Sequence, residues 1–135
     1  MKECNETITV FNTRLDDDKG YDLYVPTIIR GVSWFCEIAS NVDSSGLKAA
    51  NKFIIRIPVD ADFSDKAYVP PAAYAGGDPN TVFTLKQGDV IVHGEETEPM
   101  QPAQLQEKYG EIVTILGVTD SSRRPHAKHW KVVGA

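Results

Sequence analysis

The sequence predicts a single mostly β domain, a small antiparallel β-barrel or sandwich of about seven or eight strands with one short α-helix. Stretches rich in Val, Ile, Thr, Phe and Trp recur along the chain, divided by turn residues. Several alternate apolar and polar residues with period two, the spacing of a strand with one buried face. Helical patterning is confined to one stretch around Leu105. The 135 residues are 41% hydrophobic and 24% charged, proportions that suit one globular domain able to fold without disulfide or metal staples.

The first strand is Thr7-Ile8-Thr9-Val10-Phe11-Asn12, which stops at the charged turn Asp16-Asp17-Asp18-Lys19-Gly20. Tyr21 to Ile29 resumes the extended pattern, and Pro26, lacking an N–H, puts this strand at an edge or in a bulge. After Gly31 comes the cleanest alternation, with Val32, Trp34, Cys36 and Ile38 on one face and Ser33, Phe35 and Glu37 on the other. Cys36 is expected as a small core residue. Asn41 to Asn51 is polar, contains Gly46, and reads as a loop. Lys52 to Val59 is a core strand, with Phe53, Ile55, Ile57 and Val59 sharing a face.

Residues 60–80 hold three prolines, the adjacent Gly76 and Gly77, and two tyrosines. The stretch is too punctuated for a helix and too long for an ordinary connection; loops of this length commonly carry function. A short extended piece is expected around Tyr68-Val69. Val82 to Leu85 and Val90 to His93 read as a β-hairpin turned at Gly88-Asp89. Gly94 to Pro99 is an acidic loop. Gln101 to Tyr109 is the helix: Pro102 fits its first turn, Gly110 stops it, and Leu105 and Tyr109 form its apolar face. Glu111 to Val118 and His129 to Val133 are the closing strands, with Trp130 turned toward the core opposite Lys131.

Charge narrows the partners. Fourteen Lys and Arg against nineteen Asp and Glu leave a net charge of −5, whereas proteins that grip nucleic acid carry a basic surface. The one dense basic cluster is Arg123, Arg124, Lys128 and Lys131. An acidic chain suits a channel through which DNA slides without sticking, because like charges repel. No stretch approaches the ~18 apolar residues of a membrane span, and MKECNETITV has no apolar secretory core, so neither membrane nor export is expected. Cys4 and Cys36 make no C-x-x-C pair and read as reduced thiols of a cytosolic product.

No catalytic, cofactor-binding or metal-binding site is expected, and the chain is read as a non-enzyme. Asp16-x-Asp18-x-Gly20-x-Asp22 has its glycine one position early for a calcium loop and lacks the distal Glu, so it reads as a solvated turn. His126 and His129 lie three apart on a turn and strand, a spacing that does not put both rings on one face. Phosphate-binding, nucleophile-elbow and zinc-protease motifs are absent from the sequence. The residues chosen for function are Tyr68, Val69, Pro70, Pro71 and Tyr74, as a protein-interface or channel loop: interfaces favour tyrosine, and a Pro-rich loop loses less entropy on ordering. Deletion of residues 70–78 is expected to spare the fold.

Ile8-Thr9-Val10-Phe11-Asn12, then Tyr24 to Thr27 and Ile29-x-Gly31-Val32-x-Trp34, resemble the opening of a set of small phage and prophage structural proteins. The central Leu85-Lys86-x-Gly88-Asp89-x-Ile91-Val92-x-Gly94 and the closing Val118-x-Asp120 and His129-Trp130-Lys131-Val132-Val133-Gly134 are similar too, so the likeness spans most of the chain. Such proteins are encoded in the head-morphogenesis region of phages of Gram-positive bacteria. The resemblance implies a head–tail connector of the head-completion, or stopper, kind. It implies a small β-barrel forming a ring at the portal vertex in the neck of the virion. Its partners would be copies of itself, the portal and adaptor, the tail-completion protein and the packaged DNA passing without sequence-specific contact. A tail-completion or capsid-decorating protein, or a host-side ligand-binding module, is the alternative. The family pattern brings no catalytic or ligand residues.

Overall fold

The computed structural model describes residues 5–16, 21–43, 46–74, 77–78, 80–110, 112–121 and 128–135. Its elements in chain order are β1 (Glu6–Asp16), β2 (Tyr21–Asp43), β3 (Gly46–Pro58), β4 (Ala67–Tyr68), α1 (Pro71–Tyr74), β5 (Val82–Phe83), β6 (Val90–His93), α2 (Pro102–Tyr109), β7 (Val113–Ser121) and β8 (His129–Gly134). Six of the strands close a barrel in the order β1-β2-β3-β8-β7-β6, every pairing antiparallel. The sequence left barrel and sandwich both open; closure decides for the barrel, which removes most exposed sheet edge.

Period-two alternation explains what fills it. Ile8 and Val10 of β1, Ile91 of β6, Val113 and Ile115 of β7, Trp130 and Val132 of β8, and Phe53, Ile55 and Ile57 of β3 join one buried cluster. Their neighbours Phe11, Val90 and Val92 face outward into a second cluster around Leu105 of α2. That helix is the expected one: Pro102 lies in its first turn, and Gly110 caps it in the left-handed region at φ 74°, donating its N–H to the Gln106 carbonyl.

Several expectations are corrected. The strands read on either side of Gly31 are one strand, β2, of 23 residues. Gly31, at φ 88°, marks the place where β2 changes neighbour, from β1 up to Val32 to β3 from Ser33. Pro26 pairs opposite Phe11 without a bulge, on the half of β2 that, among the described residues, has β1 alone as its strand neighbour, in keeping with the edge position expected. The stretch Asn41 to Asn51, read as a loop, is a hairpin: β2 and β3 stay in register from Ser33↔Arg56 out to Asp43↔Gly46. A polar composition signals solvent, not the loss of backbone pairing. The same geometry explains Cys36, which is exposed rather than buried: beyond Trp34 the strand leaves the barrel wall, and Phe35 is 52% exposed as well.

The hairpin expected at 82–93 does not form. β5 pairs in parallel with β4, and β6 pairs with β1 and β7. Gly88, at φ 93°, still makes a tight turn, with the Asp89 N–H donating to the Lys86 carbonyl at 3.3 Å. A second short helix, the single turn α1, lies inside the 60–80 segment.

Candidate functional site

The segment expected to be functional follows β3 and folds back over the barrel. Asp62 bridges to Arg30 of β2 through both backbone groups. Ser64 and Asp65 adopt left-handed backbone (φ 56° and 66°), held by the Ser64 N–H on the Asp62 carboxylate at 2.9 Å and by the Ser64 hydroxyl on the Ile28 carbonyl at 2.7 Å. Lys66 then reaches β2, donating to the Pro26 carbonyl at 3.0 Å and the Thr27 hydroxyl at 2.9 Å. Burial lowers its pKa, and the charge of Asp78 opposes that shift.

Tyr68 places its ring 4.4 Å from that of Trp130 and 5.9 Å from that of Phe83; Phe63 lies 5.2 Å from Phe83 and 6.1 Å from Trp130. These four rings form a cluster of tilted and edge-to-face contacts on the core at the end of the barrel where β3 stops and β8 begins. Burial, and then the charge of Asp120, raise the Tyr68 pKa. Val69 is half-buried and donates its N–H to the Phe83 carbonyl at 2.9 Å. Pro70 and Pro71 are exposed, whereas Tyr74 at the end of α1 is 2% exposed. Of the five chosen residues, two prolines face solvent and two tyrosines anchor the segment as a lid. A deletion of residues 70–78 removes the buried Tyr74, so the expectation that it spares the fold is withdrawn.

Beside the lid runs an open groove of about 360 Å³, lined by Tyr68, Pro71, Leu85, Leu116 and Val118, with Lys86 and Asp120 on its walls. Leu116 is the extra residue of a bulge where β7 shifts register against β8, and it is 54% exposed. The segment that carries Leu85 and Lys86 is held by buried polar contacts that sequence patterning does not reveal. Asp89 accepts from the Asn12 amide at 2.8 Å and the Thr13 hydroxyl at 3.0 Å, and Asn12 also donates to the Thr84 carbonyl at 2.7 Å. Burial raises the Asp89 pKa, against the pull of these donors and of Lys86. Gly88-Asp89 was legible as a turn; the inward aim of its carboxylate was not.

At the other end of the barrel, Glu96 fastens α2. Its buried carboxylate accepts from the Lys108 ammonium and from the Tyr109 hydroxyl at 2.8 Å. Hydrogen bonds from Lys108 and then Tyr109 hold its pKa down at about 2. Nearby, Trp34 stacks on His93 at 4.4 Å, and the His93 ring meets the Glu6 carboxylate at 2.7 Å.

Among the described residues, no group of three His, Cys, Asp or Glu is arranged to hold a metal, and no helix is long and apolar enough to cross a membrane. The acidic 16–22 turn and His126 fall wholly or partly outside the described residues; His129 is buried at the start of β8.

A profile for a family of unknown function, DUF6751, matches residues 3–135. The chain belongs to that family. Searches of curated proteins and of solved structures return no match. Membership in DUF6751 covers the barrel, the lid and both long hairpins together, so these parts form one family unit.

Proposed function

We infer that the chain is a structural subunit of a tailed-phage virion, a head–tail connector of the head-completion kind that works by assembly rather than catalysis. The observation that carries this reading is the β2–β3 arm. β8 covers β3 only from Phe53 to Pro58, so the six rungs from Ile38↔Asn51 to Asp43↔Gly46 form a two-stranded ribbon outside the barrel. At ~3.3 Å per residue such a ribbon reaches about 20 Å. A lone two-stranded ribbon is marginal in water, and its open edges favour pairing with a neighbour.

The β1–β2 hairpin supports the same reading. β6 covers β1 only from Ile8 to Phe11, so the rungs from Asn12↔Val25 to Asp16↔Tyr21 run past β6. The two hairpins leave from opposite ends of β2, so each subunit has reach in both directions. A barrel with hairpins reaching past both ends is compatible with a stacked ring component, and a net charge of −5 suits a lumen that DNA must traverse. Quantitative mass spectrometry of purified particles from the source strain tests the reading. The expected result is one ring of copies per portal ring. Copies approaching those of the major capsid protein, or none, overturn it.

A further inference from the structure

The barrel wall is one strand short beside the C-terminal half of β7. On the side of β7 away from β8, β6 covers Val113 and Thr114. The Gly88-Asp89 turn then covers Ile115, with the Gly88 N–H on the Ile115 carbonyl at 2.9 Å and the Ile115 N–H on the Asp89 carbonyl at 2.8 Å. From Leu116 to Ser121 that side carries no strand among the described residues. The segment that could have filled the place fastens to β1 instead: the Thr84 N–H donates to the Asn12 side-chain oxygen at 3.2 Å, and the Lys86 ammonium donates to the Thr13 carbonyl at 2.7 Å. Between that segment and β7 lies the groove of about 360 Å³, with Tyr68, Leu85, Leu116 and Val118 along it and Lys86 and Asp120 on its walls.

The β2–β3 arm has the matching property. β1 covers β2 only as far as Val32 and β8 covers β3 only from Phe53, so among the described residues the six rungs of the arm have no strand on either side. At ~3.3 Å per residue, the six residues of the β7 edge and the six rungs of the arm both measure about 20 Å. Unpaired N–H and C=O groups on one strand edge are satisfied by another. The charges agree as well. The groove walls carry one cation and one anion, and residues 38–51 carry Lys48 and Asp43 alone. On a chain of net charge −5, these two surfaces are neutral in sum and can meet without like-charge repulsion between them. The arm does not reach the groove of its own chain: Val118 pairs with Val132 and Val132 with Ile55, whereas the arm starts four residues back, at Asn51, and runs away toward Gly46.

We propose that the groove beside β7 receives the β2–β3 arm of a second copy of this chain, which adds a strand to the open edge from Leu116 to Ser121. It rests on the ring-forming reading above and names the surfaces that meet. Main-chain hydrogen bonds along the edge hold the incoming strand, and the apolar lining covers it from one side. The contact joins unlike surfaces, so each copy gives one arm and receives another. Head-to-tail contacts of this kind close into a ring when the rotation per step closes, and extend as filaments when it does not. Because neither surface carries a net charge, salt does not dissolve the contact.

Two altered chains test this. In one, the arm is cut back to a tight turn between Ile38 and Asn51, and the groove stays whole. The other carries Leu116→Glu, which puts a charge in the groove at a position already 54% exposed, and its arm stays whole. Sedimentation velocity is run on each, on their mixture and on the unaltered chain, up to about 1 mM, with circular dichroism as the check on folding. The expected result is multimers of the unaltered chain that added NaCl does not weaken, and at least about tenfold weaker self-association for either altered chain alone. Their mixture should give heterodimers and nothing larger, because one chain brings the only arm and the other the only open groove. A folded Leu116→Glu chain that associates like the unaltered one overturns the contact, whether or not the shortened chain folds. So does a mixture of folded chains without heterodimers, an unaltered chain that stays monomeric, or multimers that salt dissolves. Each of these leaves the connector reading standing, which the count of copies in particles tests separately.

Discussion

Replacing Phe83 by Ala asks whether the 60–85 segment is a packed lid or a loop lying on the surface. Phe83 is 0% exposed, sits on the two-residue strand β5, and lies 5.2 Å from the Phe63 ring and 5.9 Å from the Tyr68 ring. A buried Phe→Ala change costs about 3–5 kcal/mol in lost transfer energy and residual cavity. The two ring contacts place the expectation in the middle of that range, about 4 kcal/mol. With an unfolding entropy of about 2.1 cal/mol/K per residue, the 135 residues give about 0.28 kcal/mol/K, and the loss corresponds to a Tm lower by about 14 °C. Urea unfolding followed by tryptophan fluorescence measures it directly, because Trp130 packs against the same rings. Pro71→Ala, at an exposed lid position, is the control and should stay within about 0.5 kcal/mol. A Phe83→Ala loss below about 1 kcal/mol, with the same urea slope as the unaltered chain, would refute the lid.

Glu96→Gln should loosen α2. The carboxylate pKa moves from 4.5 to about 2 on folding, nominally about 3 kcal/mol; because its partner Lys108 is half exposed to solvent, screening reduces this to about 1 kcal/mol. The folded pKa is depressed, so this stability is fully present above pH 4.5 and is lost as pH falls toward 2. Urea midpoints at pH 7 and pH 3 should therefore differ less in the variant than in the unaltered chain, and an equal acid loss in both would remove Glu96 from the account. Gly134→Ala should cost about 1–3 kcal/mol by overpacking. Its Cβ would lie 2.4 Å from Val113 Cγ1 and 2.7 Å from the Thr114 carbonyl oxygen, on a residue paired to both Phe53 and Ile115. Gly117→Ala, with nothing within 4 Å of its added Cβ, should be tolerated, and thermal melts of the two compare them directly.

Where burial is one-sided and local, the chain spells out its structure. The alternation in β3 and β8 identifies Phe53, Ile55, Ile57, Trp130 and Val132 as core, and Pro102, Leu105 and Gly110 delimit α2. Pairing between distant segments is not written in local pattern. Gly88-Asp89 carries a turn signal, yet which strand Val82-Phe83 joins depends on Tyr68 and Trp130 meeting across the barrel end. Gly31 looks like a boundary because a glycine at positive φ ends many strands; here it lets one strand pass from β1 to β3. The arm from Ile38 to Asn51 hides because its sequence lacks the apolar–polar alternation that reveals a strand.

The candidate site was legible in part. The unusual composition of residues 60–80 marked the right segment, but tyrosine in a loop fits a solvent-facing contact and an inward anchor equally, and Tyr74 turned out to be an anchor.

Electron microscopy of particles made by a phage lacking this chain tests the connector reading most directly. The expected picture is separate heads and tails, with joined particles restored by the unaltered chain but not by one whose β2–β3 arm is cut back to a tight turn between Ile38 and Asn51. Normal numbers of joined, DNA-filled particles without the chain would contradict it.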